Sequence, residues 1–148
     1  MITDLYHKDI LRHAAAARGH GRLDPADGNA TVDNPLCGDR VHVDVKLTDG
    51  HIAEIAQDTR ACVLCQASVS IIAARAVGET AQSLEALAER VRDMLDKNAP
   101  PPDGKWADFA VFDPVRQTRS RHSCVLLPFE AVAKALAEAT GRKPKDGG

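Results

Sequence analysis

Apolar and polar residues alternate strictly from Arg40 to Leu47, where Val41, Val43, Val45 and Leu47 are separated by Arg40, His42, Asp44 and Lys46. This period of two predicts a half-buried β-strand. The Asp49-Gly50 pair that follows predicts a hairpin turn, with a return strand from His51 to about Thr59. Ile52 and Ile55 interrupt the alternation there, which indicates a β-bulge or the beginning of a third short strand.

Apolar residues at helical spacing predict three α-helices in the remainder of the first hundred residues. The first helix is expected from about Asp4 to Ala17, the second from Cys65 to Val77, and the third from Thr80 or Ser83 to Lys97. Gly78 is the expected end of the second helix, because glycine is common just after a helix.

A fourth helix is expected from about Leu127 to Thr140, with Pro128 in its first turn and Gly141 as its stop. The segment from Asp103 to Ser120 carries an aromatic group, formed by Trp106, Phe109 and Phe112. Aromatic side chains contribute large buried areas, so we expect this segment to be ordered and packed on the core.

These elements predict an α+β fold in which a small antiparallel sheet is covered on one face by helices. The length of 148 residues suits one domain with one core. We expect this single domain to span residues 1–141 and the tail at 142–148 to be disordered.

Charge and hydropathy exclude several classes of function. The formal net charge is −2, and 19 basic and 21 acidic residues are scattered without a dense basic block, so nucleic acid and membrane are not expected as partners. Asp4, Lys8 and Asp9 interrupt the N-terminal segment where a signal peptide would be apolar, which predicts a cytoplasmic protein. Thiols in that compartment are reduced, so the four cysteines are expected as ligands or reactive groups.

The four cysteines lie in three short segments, at 34–39, 61–68 and 121–124. Cys37, Asp39, Cys62 and Cys124 would offer three thiolates and one carboxylate, the number of ligands that zinc binds. Their spacing is wider than in a compact zinc finger, so the tertiary fold would have to assemble the site. Two other readings stay open: unrelated buried thiols, and a redox dithiol formed by Cys62 and Cys65.

The residues around the cysteines carry a resemblance to a known family. The segments Asn34-Pro35-x-Cys37-Gly38-Asp39, Ala67-Ser68-x-Ser70 and Arg121-x-x-Cys124 resemble the signature of the U-type iron-sulfur scaffold family, the NifU N-terminal or IscU-like proteins, over nearly the whole chain. The match identifies Cys62, and not Cys65, as the family ligand. Ser123 stands where the IscU branch has a histidine, and the long segment before Cys124 looks like the SufU branch.

The resemblance implies an α+β fold, with a small three-stranded antiparallel sheet packed against about four to five helices, and a role in iron-sulfur cluster biogenesis. In a SufU-type protein, Cys37 would accept persulfide sulfur from a SufS/IscS-like cysteine desulfurase and pass it to apo iron-sulfur proteins or other Suf components. Cys37, Asp39, Cys62 and Cys124 would hold Zn²⁺, and Arg121 would contact the partner or orient the loop. This activity would be a zinc-dependent sulfur transfer.

Three alternatives remain at this stage. The same cysteines would suit a scaffold that carries a transient 2Fe-2S cluster. A more distant alternative is a thiol redox protein using Cys62 and Cys65, and another is a purely structural zinc domain. His122 is expected to be a solvated side chain, with a minor alternative role as a ligand, and Cys65 to be an extra thiol.

Overall fold

The computed structural model describes residues 8–35 and 38–141. Its elements are α1 (Lys8–Ala16), β1 (Gly28–Asn34), β2 (Asp39–Thr48), β3 (His51–Arg60), α2 (Val63–Arg75), α3 (Ala81–Asp96), a 3₁₀ segment (Gly104–Gln117), a 3₁₀ turn (Arg119–Arg121) and α4 (His122–Thr140). The strands form one antiparallel sheet in the order β1-β2-β3, which confirms the predicted α+β fold. The predicted start of the first helix at Asp4, the ligand Cys37 and the tail at 142–148 lie outside the described residues.

Strands β2 and β3 form the predicted hairpin. Both turn residues, Asp49 and Gly50, have positive φ angles of 51° and 79°, as a two-residue type I′ turn requires. The pairing shifts between Lys46 and Leu47, so the predicted bulge is confirmed. The alternative of a new strand in the return segment is wrong, because β3 continues from His51 to Arg60.

The third strand is β1, in a stretch where no sequence pattern indicated an element. Val32 is a buried valine of this strand. A single large apolar residue does not produce a recognisable alternation of apolar and polar positions. The strand forms because its backbone pairs with β2 from Gly28, opposite Val45, to Asn34, opposite Asp39. Gly28 also permits close packing on α4, since a Cβ at this position would overlap the carbonyl oxygen of Ala135.

The core lies between the sheet and the helices. Strands β1 and β2 pack against α4, and α2 contacts both α1 and α4. The predicted apolar positions of α3 are all buried, at Leu84, Leu87, Val91, Met94 and Leu95. Among the described residues, no helix combines the length and the apolar character that crossing a bilayer requires.

The aromatic segment is ordered, as predicted, and folds as the 3₁₀ segment. Trp106, Phe109 and Phe112 are buried. The ring centroid of Phe109 lies 5.9 Å from that of Phe112 and 5.5 Å from that of Phe129 on α4. These tilted contacts attach the segment to α4 and therefore to the helix that carries Cys124.

Helix α4 begins at His122, so the predicted beginning near Leu127 is wrong. The prediction placed Pro128 in the first turn because proline lacks the N–H that would bond to the carbonyl of Cys124. Pro128 instead lies well inside the helix. Burial of Cys124, Val125 and the residues around them stabilises the extra turn despite the missing hydrogen bond. Gly141 ends the helix in a left-handed conformation, as predicted.

Candidate metal centre

The turn between β1 and β2 places Asp39 in a buried position. Gly38 has a φ of 73° and donates its N–H to the carbonyl oxygen of Asn34 at 2.8 Å, which closes the turn. Asp39 follows as the first residue of β2 and is 2% exposed. A buried carboxylate needs partners, and its partners identify the centre.

Cys62 lies immediately before α2 and contacts Asp39 through both backbone and side chain. Its N–H donates to Oδ1 of Asp39 at 2.9 Å, and its Sγ lies 3.7 Å from Oδ2. The thiol is partly buried. Because Cys62 is the N-cap residue of α2, the amide groups of Leu64 and Cys65 in the first helical turn lie beside its sulfur.

Cys124 completes the described part of the centre from the first turn of α4, where it is fully buried. One ligand atom each from Asp39, Cys62 and Cys124 lie within 4.8 Å of one another. Ligands around a tetrahedral zinc ion at ~2.0–2.3 Å are about 3.3–3.8 Å apart, so a small closure of the three would match that geometry. Two thiols and a carboxylate are donors that suit zinc and iron.

The two thiols influence each other through a hydrogen bond. Donation from the Cys124 thiol, helped by amide groups at the start of α2, lowers the pKa of Cys62 to about 7 despite partial desolvation. The same hydrogen bond, together with burial, raises the pKa of Cys124, while a hydrogen bond from Arg121 acts in the opposite direction. Cys62 is therefore the thiol of this pair that ionises first, which favours both metal binding and reactivity.

Arg121 and Ser123 lie three residues and one residue before Cys124 in the sequence. Arg121 is partly buried, and its hydrogen bond to Cys124 places a permanent cation beside the thiols. Ser123 is exposed and accepts a hydrogen bond from Nδ2 of Asn34 at 3.1 Å. This contact joins the end of β1 to α4. No sequence pattern indicates it, because the two residues are 89 positions apart.

His122 lies outside the described group of ligand atoms. Its Nδ1 is 2.9 Å from Oδ1 of Asp96, and its Nε2 is 3.1 Å from the carbonyl oxygens of Val115 and Arg116. The expectation of a solvated side chain is therefore wrong: His122 is 7% exposed and joins α3 and the 3₁₀ segment to α4.

Cys65 lies in the hydrophobic core, away from solvent. It is 0% exposed and belongs to the cluster of buried apolar residues beneath α2. Cys62, by contrast, is only partly buried. The ligand group of the described residues joins Cys62 to Asp39 and Cys124 and leaves Cys65 out, which favours a metal centre over a dithiol pair.

The chain is similar to characterised proteins over nearly its whole length. The family model for the NifU-like N terminal domain matches residues 5–143. The iron-sulfur cluster assembly scaffold protein IscU of Thermotoga maritima is 26% identical over 132 residues, 89% of this chain and 92% of the relative. The zinc-dependent sulfurtransferase SufU of Bacillus subtilis is 27% identical over 143 residues, 95% of each chain. The crystal structure of a nitrogen-fixing NifU-like protein (N-terminal) from Brucella abortus superimposes with a TM-score of 0.89 at 39% identity, covering 96% of this chain and 99% of that one.

Proposed function

Because the chain belongs to the NifU-like N-terminal domain family, we propose that it acts in iron-sulfur cluster assembly as a SufU-type protein. It accepts persulfide sulfur from a cysteine desulfurase and delivers that sulfur to an acceptor of the assembly machinery. The observation that carries the proposal is the convergence of Asp39, Cys62 and Cys124 within 4.8 Å. A relative of nearly equal length is a zinc-dependent sulfurtransferase, which supports zinc as the metal.

The donor set fits the proposed ion. Asp39, Cys62 and Cys124 are the described ligands, and Cys37, two residues before Asp39 in the sequence, is proposed as the fourth. Bound zinc supplies positive charge that keeps its cysteine ligands deprotonated at neutral pH. Arg121 adds a guanidinium beside Cys124 and partly balances the negative charge of the ligands.

Cys37 is proposed as the residue that takes the sulfur. Its thiolate attacks the terminal sulfur of the desulfurase persulfide, so that a new S–S bond forms on Cys37. The S–S bond of the desulfurase breaks at the same time, and the desulfurase cysteine leaves as a thiolate. This exchange needs no external oxidant or reductant. Asp39 and Cys62 stabilise the centre during the exchange by their mutual hydrogen bond.

A scaffold that builds a 2Fe-2S cluster is the second candidate, since a relative named as an IscU scaffold matches most of the chain. The same thiolates would ligate iron. Ser123 favours the sulfur-transfer function, because it offers a hydroxyl bonded to Asn34 at the position where the IscU branch has a histidine.

The test begins with elemental analysis and optical spectra of protein purified without air. The protein is then incubated with a cysteine desulfurase and cysteine, and peptide mass spectrometry locates any added sulfur. About one zinc per chain and one sulfur atom on Cys37, lost in a Cys37→Ser variant and retained in Cys65→Ala, are expected. Bound iron with visible charge-transfer absorption would favour the scaffold, and zinc without sulfur on Cys37 would contradict the sulfur-transfer proposal.

A further inference from the structure

A cavity of about 500 Å³ adjoins α1, α2 and the 3₁₀ segment, remote from the metal centre. Its lining is Arg12, His13, Arg18, Ile71, Ala74, Arg75 and Asp108, and we call it the arginine cavity. Cys62 and Ala74 lie at opposite ends of α2, so the arginine cavity is roughly 18 Å from the metal centre along the helix axis. Its volume is within the range of small-molecule sites.

Within the described residues, most N–H groups of the three guanidiniums in the arginine cavity have no hydrogen-bond acceptor. Arg75 lies 3.6 Å from Asp108, and Arg12 lies 3.6 Å from Asp9, distances too long for a direct hydrogen bond. Within the part of the chain that the structure describes, the Arg18 guanidinium forms no ion pair with a carboxylate. Among the described residues, three guanidinium groups therefore line one cavity with a single lining carboxylate, Asp108.

His13 adds an unsatisfied polar group to the same lining. It is 7% exposed, and its buried Nε2 has no hydrogen-bond partner among the described residues. Desolvation lowers the pKa of His13 although Asp108 acts in the opposite direction, and this favours the neutral ring. A buried polar nitrogen without a partner is unfavourable. The Nε2–H tautomer of the neutral ring would donate a hydrogen bond to an oxyanion bound in the cavity.

We propose that the arginine cavity binds a small dianion that carries phosphate or carboxylate oxygens. The planar guanidinium group matches such oxyanions through paired hydrogen bonds, which Arg12, Arg18 and Arg75 have available. The carbonyl ends of α1 and α2 lie near the cavity, and with Asp108 they offset part of the positive charge. A dianion gains about twice the residual attraction of a monoanion. This site uses none of the residues of the proposed sulfur transfer and goes beyond it.

Calorimetric titration of the zinc-loaded full chain at low ionic strength tests the proposal. Inorganic phosphate is the probe in one arm and succinate in the other, and zinc content is measured before and after each titration. We expect saturable binding to one site, weakened roughly tenfold in Arg18→Gln and in Arg75→Gln. Arg92→Gln is the matched control, because it removes the same charge from an exposed ion pair with Glu89 on α3; its affinity should stay within about twofold of the parent.

A second measurement does not depend on the variants folding. In ¹⁵N NMR spectra of the parent chain, the side-chain Nε–H signals of Arg18 and Arg75 should shift on addition of the probe, and that of Arg92 should not. Tighter binding of phosphate would identify a phosphate ester as the ligand class, and tighter binding of succinate a dicarboxylate. Absence of saturation by about 20 mM in both arms, or equal weakening in Arg92→Gln, would overturn the proposal.

Discussion

The carboxylate of Asp39 accepts the backbone N–H of Cys62 at 2.9 Å and thereby joins the start of β2 to the start of α2. Its second oxygen lies 3.7 Å from the Cys62 sulfur. One oxygen therefore orders the backbone, while the other contacts the Cys62 thiol, beside which it would serve as a ligand. Metal binding can use the second oxygen without releasing the first, so the centre is organised before an ion arrives.

Asp39→Asn should separate these two roles. The amide oxygen can still accept the Cys62 N–H, so we expect the fold to persist, while loss of the anionic ligand weakens zinc binding by at least about tenfold. Competition with a chromophoric chelator measures the affinity. Asp33→Asn, an exposed carboxylate paired with Arg40 on the same sheet, is the control and should bind zinc as the parent does. Equal affinity in both variants would remove Asp39 from the ligand set.

Cys65→Ala should affect stability alone. The residue is fully buried in the core, and removal of its sulfur is expected to lower the free energy of unfolding by about 1 kcal/mol. Zinc stoichiometry and sulfur loading of Cys37 should match the parent chain. Urea unfolding and the mass-spectrometric assay measure the two properties. Loss of sulfur transfer with intact zinc would show that Cys65 takes part in a relay.

His122→Gln should distinguish a structural histidine from a metal ligand. The imidazole joins Asp96 to two carbonyl oxygens of the 3₁₀ segment, and glutamine cannot satisfy all three positions. We expect the free energy of unfolding to fall by about 1–3 kcal/mol and the zinc content per folded chain to be unchanged. A folded variant that has lost its zinc would instead make His122 a ligand.

Asp44, on the face of β2 opposite Val43 and Val45, makes the free energy of unfolding depend on pH. Burial alone would raise its pKa, but hydrogen bonds outweigh this effect and lower it below the usual value. The donors are Nε of Arg22 at 2.8 Å, the N–H of Leu23 at 3.0 Å and Nε2 of His42 at 2.8 Å. A carboxyl group with a lowered folded-state pKa stabilises the protein above its unfolded-state pKa, about 3.9, and loses this contribution as the pH falls through the folded-state value.

Asp44→Asn should therefore destabilise the protein most at neutral pH. We expect a loss of about 1.5–3 kcal/mol at pH 7, since the hydrogen bonds are charge-assisted, and a difference from the parent that shrinks below about pH 4. Urea unfolding over this pH range measures both. Glu54→Gln, which removes an exposed carboxylate of β3, should show little difference at any pH. A pH-independent deficit in Asp44→Asn would contradict the linkage.

Gly28→Ala tests the contact between β1 and α4. The added methyl group would overlap the carbonyl oxygen of Ala135 and lie 2.6 Å from the Ala139 nitrogen. Overpacking of this kind costs about 1–3 kcal/mol, so the thermal midpoint should fall by several degrees. Asn29→Ala, at the next and exposed position, should leave the midpoint nearly unchanged. Equal midpoints for the two variants would show that α4 can move away without cost.

Local sequence patterns predicted those elements in which the buried residues recur at the period of a strand or of a helix. The alternation of β2 and the apolar spacing of α3 are of this kind. Strand β1 was missed because backbone pairing with β2 stabilises it, and the beginning of α4 was misplaced because packing of Cys124 outweighs the signal of Pro128. Such effects depend on the tertiary fold.

The candidate site was predictable only in part for the same reason. Asp39, Cys62 and Cys124 stand in recognisable segments, and one ligand atom of each lies within 4.8 Å of the others. The contact of Asn34 with Ser123 and the burial of His122 come from packing between elements that are distant in the sequence. The arginine cavity likewise combines residues of α1, α2 and the 3₁₀ segment, which no single segment reveals.

The close approach of Gly28 to Ala135 also limits how the chain can change in length. Helix α4 carries Cys124 in its first turn and rests on β1 at Ala135. An insertion or deletion of one residue between these positions would turn Cys124 about 100° around the helix axis and move its thiol away from Cys62. Proteins that keep this centre should therefore vary in length elsewhere, for example in the loop at 97–103, and preserve the number of residues from 124 to 135.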